Sequence, residues 1–252
     1  DLEEARDKIR YGRSNKSRTI EEKERVATAY HEAGHAVLQM LLPDGDPLHK
    51  VTIIPRGRAL GATMSLPEKD RYGFGLKWLR AQMRVLCGGR IAELRHSGDV
   101  SSGAAMDIEM ATKMARAMVL EWGMSDKLGF VRYSPQENRD VFIREREYSD
   151  ETAHLIDEEV RRIIDEAFRD AERMLNENWE KVDAVAQALL KHETLDADEV
   201  RRLCQGETLD RPTLSGILAD ENVPPKQTAR PVVSRPEPQL PPGGSLPQPG
   251  LG

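Results

Sequence analysis

Two cysteines in 252 residues, Cys87 and Cys204, are too few for a disulfide framework or a Cys-rich zinc ribbon. Their scarcity fits reduced thiols in an intracellular setting. Aromatic residues make up only 5% of the chain, which disfavours a β-sandwich or an aromatic-lined ligand box. No run of 18 apolar residues occurs, so nothing in these residues is expected to span a bilayer as a helix. Cations are not in excess either. Lys and Arg number 37 against 43 Asp and Glu, a net charge of −6, which argues against nucleic acid as a main partner. The hydrophobic share, 38%, suffices for a helical core. The chain opens on Asp1-Leu2-Glu3-Glu4, with neither Met nor a signal peptide. Helical spacing of Leu2, Ala5 and Ile9 follows at once, so we expect a piece cut from a longer polypeptide.

What is present is mostly helical pattern. After a polar linker at 12–19, a helix is expected from about Ile20 to Leu42, stopped by Pro43-Asp44-Gly45-Asp46-Pro47. Lys50–Ile54 and Ala62–Leu66 read as two short strands that form a hairpin or sheet edge. Apolar residues from Leu76 to Leu94 recur at helical spacing, with Gly88 and Gly89 inside the run. Each glycine costs about 1 kcal/mol there, so close packing or a break is expected. Residues 96–103 read as a loop, and Ser102 as the cap of a helix from Ala104 to Trp122 ended by Gly123. Residues 124–148 read as irregular with one short strand. Ser149 begins a long helix with the inner stripe Ala153, Ile156, Val160, Ile163, Ala167, Ala171 and Met174. Helices at Trp179–Lys191 and Ala197–Cys204, the second introduced by Asp196, complete a mainly α domain. From Val223 to Gly252, nine of the fifteen prolines occur. That tail cannot bury enough surface to offset its ordering entropy and is expected to be disordered.

The informative stretch is Tyr30-His31-Glu32-Ala33-Gly34-His35, an H-E-x-x-H. On a helix, His31 and His35 lie one turn apart on one face, a spacing that lets two imidazoles share one Zn²⁺ at about 2.0–2.1 Å each. Glu32 is turned by about 100° from His31. It is poorly placed as a ligand but able to reach water at the metal, as a general base must. The alternative is two unrelated histidines on one helical face. Against it stand the flanking Val26, Ala29, Ala33, Ala36, Val37 and Met40, because two buried imidazoles without a partner are costly.

A catalytic zinc needs a third protein ligand and one open position. Candidates are Asp70, Glu93, Asp99, Asp107, Glu109, His49 and His96. Asp107 is favoured by pattern. It borders the stripe Ile108, Ala111, Ala115, Met118 and Trp122, with Ala111 and Met114 on its own row, whereas Glu109 points away. A first-turn acid complementing the helix dipole explains Asp107 equally well. His154 and His192 read as surface residues, Cys87 as a core thiol, and the Glu/Arg runs at 145–147 and 157–166 as solvated faces with i,i+4 pairs.

These residues, together with Tyr30–Tyr72, GGRIAE (Gly88–Glu93), SGAAMDIEMAT (Ser102–Thr112), ARAMVLEWGMSDKLG (Ala115–Gly129), LIDEEVRRII (Leu155–Ile164) and ETLDADEV (Glu193–Val200), resemble the proteolytic domain of the FtsH family. Its members are ATP-dependent, membrane-anchored zinc metalloproteases. The resemblance covers roughly residues 1–203. It implies a mainly helical domain with a small β element, an Asp-zincin holding one Zn²⁺ per chain by His31, His35 and Asp107, with Glu32 as catalytic base. It implies zinc-activated water attacking the peptide carbonyl, unfolded or misassembled membrane and soluble proteins as substrates, a homo-hexameric ring, and substrate docking by strand addition at Gly61–Leu66. Residues 1–19 would be the end of the ATPase module and a linker, 20–207 the protease domain, and 208–252 the Pro/Gly-rich tail. ATP and Mg²⁺ would belong to the ATPase module, since no G-x-x-x-x-G-K-[ST] is present. Membrane helices would likewise lie outside, placing a soluble fragment at the cytoplasmic face of the inner membrane. The alternatives are a non-catalytic ring-forming scaffold of the ATPase and a stand-alone, ATP-independent peptidase. Met106 stands where the family usually has Asn, Leu94 where it has a second acid, and Ser101-Ser102 where it has Thr.

Overall fold

A computed structural model of the chain describes residues 8–9, 21–55, 59–66, 72–133 and 148–209. Most of the expected first helix, the linker, Asp70, residues 145–147 and the Pro-rich tail lie outside these residues.

Helix α1, Glu22–Leu41, covers most of the expected second helix. Its alanines explain its place at the centre of the molecule. Ala29, Ala33, Ala36 and Val37 are fully buried, and such small side chains let neighbouring helices approach. Helix α2, Leu76–Ser97, runs through Gly88 and Gly89 without a break. The glycines serve packing instead. A Cβ on Gly34 of α1 would lie 2.3 Å from the Gly88 carbonyl oxygen, and one on Gly88 would lie 2.8 Å from that of Gly34. The two backbones therefore touch at these residues.

Strands β1, Leu48–Thr52, and β2, Ala62–Ser65, pair antiparallel, Val51 opposite Thr63. A third strand, β3 at Thr194–Asp196, which the sequence reading missed, pairs antiparallel with β1 and gives the order β2-β1-β3. It is too short for a period-2 pattern. Glu193 makes it possible by adopting a left-handed φ of 63° at the end of the preceding helix. Its carbonyl then accepts from the Ile53 N–H at 2.9 Å and from Thr52 Oγ1 at 3.0 Å.

Helix α3, Ala105–Leu120, follows a 3₁₀ turn at Ser102–Ala104. Here the capping expectation is corrected. Ser101, not Ser102, accepts from a backbone N–H, that of Gly103 at 3.1 Å. The helix stops at Leu120, and Gly123 at φ 59° closes the turn after it. Ile108 and Trp122, expected in the core, are 50% and 40% exposed. The buried row is instead Ala111, Ala115, Met118 and Val119. Met106 is also exposed.

Helix α4, Asp150–Glu177, is capped by Ser149 Oγ accepting from the Thr152 N–H. It buries Ile156, Ile163, Ala167, Ala171 and Leu175 against α2 and α3. Helix α5, Trp179–His192, packs on α1. Helix α6, Ala197–Cys204, opens with a reciprocal cap between Asp196 and Glu199. Among the described residues no helix is long and apolar enough to cross a membrane.

One member of the 157–166 run is not solvated. Glu159 is 1% exposed. Its carboxylate accepts from Arg162 Nε at 3.0 Å, Arg162 Nη2 at 2.9 Å and Ser125 Oγ at 2.7 Å, so it ties the segment after α3 to α4. The Arg162 guanidinium outweighs burial and holds Glu159 down from 4.5 to about 2. His154, by contrast, is exposed as expected.

Two outcomes follow. Gly34→Ala should destabilise the domain by about 2 kcal/mol or more in urea denaturation, because the clash is with backbone and exceeds the helix-propensity gain. For Glu159 the folded pKa lies below the unfolded one. Its contribution is therefore complete above about 4.5 and is lost as pH falls towards about 2. Acid titrations followed by circular dichroism should show a shallower loss of stability across that window in Glu159→Gln, from a lower starting stability.

Candidate metal centre

Three elements converge beside the contact between α1 and α2. From α1 come His31 and His35, whose Nε2 atoms lie 3.0 Å apart. From the first turn of α3 comes Asp107, whose Oδ2 is 3.2 Å from His31 Nε2 and 3.3 Å from His35 Nε2. Helix α2 supports both rings from behind. His31 Nδ1 is 2.6 Å from Glu93 Oε1, and His35 Nδ1 is 2.6 Å from the Val85 carbonyl oxygen. In the neutral rings those acceptors place the proton on Nδ1 and turn both Nε2 lone pairs towards Asp107.

Three electron-rich atoms at this separation repel unless a positive charge, a proton on an imidazole or a metal ion, lies among them. Ligands around a tetrahedral zinc, at about 2.0–2.1 Å from the ion, are about 3.3 Å from one another. The observed 3.0–3.3 Å separations match that triangle. Two imidazoles and one carboxylate are also the donor types zinc accepts at a catalytic site, and they leave a fourth position. The residues present therefore fit the ion. Among the described residues this is the one group of three such side chains close enough to share a metal.

The local electrostatics point the same way. Burial opposes a cationic His31, but the carboxylates of Asp107 and Glu93 beside it, with Glu32 nearby, raise it from 6.5 to about 10. Burial would raise Asp107 and Glu93, yet hydrogen bonds with His31 hold both below the ordinary range, helped by His35 at Asp107 and Ser101 at Glu93. Cys87, buried and near the Asp107 charge, is pushed up to about 12 and stays a thiol.

Glu32 lies on α1 beside the triad and is 6% exposed. Its Oε2 accepts from Thr63 Oγ1 on β2 at 2.7 Å. Tyr30 steadies the other side. Its ring stacks on His96 with centroids 3.5 Å apart, and its hydroxyl donates to Asp183 on α5.

Of the candidate third ligands, only Asp107 joins the two histidines. Glu93 instead grips His31 from behind and accepts the Ser101 N–H at 3.0 Å. One carboxylate thereby links His31 to the loop that leads to Asp107. Glu109 is exposed and paired with Lys113, Asp99 is exposed, and His96 stacks on Tyr30. The roles of Thr63 and Val85 carry no signature in the sequence. Gly89 does carry a weak one, as a glycine within a helix. A Cβ there would lie 2.5 Å from the His31 ring.

Comparison with known proteins finds relatives along most of the chain. The model of peptidase family M41 matches residues 18–203. The chain is 50% identical over 216 residues to the ATP-dependent zinc metalloprotease FtsH 2 of Methylacidiphilum infernorum, covering 84% of this chain and 34% of that protein. It is 47% identical over 215 residues to the ATP-dependent zinc metalloprotease FtsH of Rubrobacter xylanophilus, covering 83% and 33%. With the protein of the same name from Acidobacterium capsulatum it shares 43% over 256 residues, 98% of this chain and 39% of the relative. The chain thus spans about a third of the length of these relatives. With most of its residues matched by the family model, and about half of them identical to relatives so named, the chain belongs to peptidase family M41.

Proposed function

We propose that this chain is the zinc-dependent endopeptidase domain of an ATP-driven, membrane-anchored protease that degrades unfolded or misassembled proteins. The observation that carries the reading is the convergence of His31 Nε2, His35 Nε2 and Asp107 Oδ2 beside a buried Glu32. His31, His35 and Asp107 hold one zinc ion. When bound, zinc supplies Lewis acidity towards water and towards the scissile carbonyl.

The remaining work falls to the chain's own residues. Glu93 and the Val85 carbonyl keep both imidazoles in the tautomer that presents Nε2. Glu32, as general base, takes the proton from the attacking water onto its carboxylate and delivers it to the leaving amine nitrogen. Among the described residues strand β2 is the last strand on one side of the sheet, in the order β2-β1-β3. An extended substrate segment adds there through backbone hydrogen bonds, which suits a protease indifferent to side-chain sequence.

Residues 20–207 form this protease domain, 1–19 belong to the end of an ATPase module and a linker, and 208–252 to a tail outside the catalytic unit. The names of the relatives support the ATP-driven, zinc-dependent reading. A homo-hexamer at the cytoplasmic face of the inner membrane accords with the family resemblance. An intact Glu32 beside an intact triad favours an enzyme over a scaffold, because a scaffold has no use for the base.

Unfolded casein supplies the test. The zinc-loaded chain should digest it, and a chelator should stop digestion. Persistence of cleavage after complete zinc removal would refute the reading. Glu32→Gln should keep equimolar zinc by metal analysis and lose cleavage by about 100-fold or more. Asp107→Ala should lose most of its zinc, and full occupancy in that variant would remove Asp107 from the ligand set.

A further inference from the structure

Strand β2 is joined to α1 by three side-chain hydrogen bonds, two of them from Thr63 Oγ1, which reaches the Glu32 carbonyl oxygen at 3.3 Å and, more closely, the carboxylate of the proposed base. Alternation puts Thr63 and Ser65 on one face of the strand and Ala62 and Met64 on the other. Thr63 Oγ1 donates to Glu32 Oε2 at 2.7 Å, while Ser65 Oγ accepts from Gln39 Nε2 at 2.8 Å. Glu32 and Gln39 are seven residues apart, two helical turns, and so share a face of α1. The strand's polar face therefore lies along that face of the helix.

The Thr63 hydroxyl is the one hydrogen-bond donor to the Glu32 carboxylate among the described residues. At 6% exposure the carboxylate has little solvent to replace that partner. The strand also touches the other oxygen. A Cβ on Gly61, just before β2, would lie 2.7 Å from Glu32 Oε1 and 2.8 Å from its Cγ. Gly61 thus leaves the space the carboxylate occupies, and Thr63 pins it there. Thr63 is itself held in register by pairing with Val51 on β1.

We infer that Thr63 is a positioning residue for proteolysis. Its hydroxyl fixes the rotamer of Glu32 and ties the alignment of the base to the strand at the open edge of the sheet. This rests on the reading of Glu32 as general base. The hydroxyl lies on the face towards α1, so removing it leaves the backbone groups of the β2 edge intact. Its loss should act on the chemical step and spare substrate binding.

The test compares Thr63→Val, which keeps the shape and removes the donor, with Thr63→Ser, which keeps the donor. In the zinc-loaded chain cutting an unfolded casein peptide, Thr63→Val should lower kcat about tenfold or more with KM within about twofold. Thr63→Ser should stay within about threefold of the parent, and both should keep the parent's zinc content. Crystal structures of the two variants give a readout independent of turnover. The Glu32 carboxylate should leave its place in Thr63→Val and keep it in Thr63→Ser. Gly61→Ala should displace the same carboxylate from the other side. An unmoved carboxylate in Thr63→Val, parental kcat in that variant, or an equal loss in Thr63→Ser would each overturn the inference. Parental cleavage by Glu32→Gln would instead overturn the general-base reading itself, while the crystal comparison would still decide whether Thr63 orients the side chain.

Discussion

Mutual repulsion among three lone-pair-bearing atoms is the constraint around which this domain is arranged. Two imidazole nitrogens and a carboxylate oxygen are brought to 3.0–3.3 Å of one another. Such atoms stay together only with a positive charge among them, a proton on an imidazole or a metal ion. The surrounding structure prepares for that charge. Helix α2 supplies an acceptor behind each ring, α3 aims its first turn at them, and α1 is lined with alanines that allow α2 and α5 close. Glu93 makes the arrangement cooperative. By holding His31 and the Ser101 backbone at once, it couples His31 to the segment that leads to Asp107, 76 positions further along the chain.

The second constraint is steric. The His31 ring lies where a side chain on residue 89 would be, and the backbones of α1 and α2 meet where Gly34 and Gly88 have none. Glycine inside a helix ordinarily weakens it. Here the weakness is offset by contact that no larger residue permits, and the histidine gains a rigid wall. Metal-site geometry and helix packing are consequently one problem with one solution.

Much of this was legible in the residues. The spacing of His31 and His35 placed two ring nitrogens together, and Asp107 stood out at the edge of an apolar row. The ends of α4 and α6 followed from Ser149 and Asp196, whose caps are local chemistry. What could not be read was set at long range. Strand β3 has three residues and exists because Glu193 turns left-handed and β1 is waiting. Thr63 and Val85 act on residues 31 and 50 positions away, and in the case of Val85 through a carbonyl that every residue owns. Glu159 sits in a charged run that looks uniformly solvated, and the docking of Ser125 and Lys127 from the segment after α3 distinguishes it. Ile108 and Trp122 share the spacing of the buried row, yet they flank it at the two ends, Trp122 beyond the last helical residue Leu120, and both are exposed.

The two rims of the small sheet are unlike each other. At the β3 rim, helices begin and end within a residue of the strand, and the Asp196 amide is already engaged by Glu199 Oε2 at 3.0 Å. Such a short, blocked rim offers an incoming chain almost nothing to pair with. Growth of the sheet is therefore one-sided. With one rim blocked in this way, the sheet is poorly suited to stacking copies of itself into a fibre.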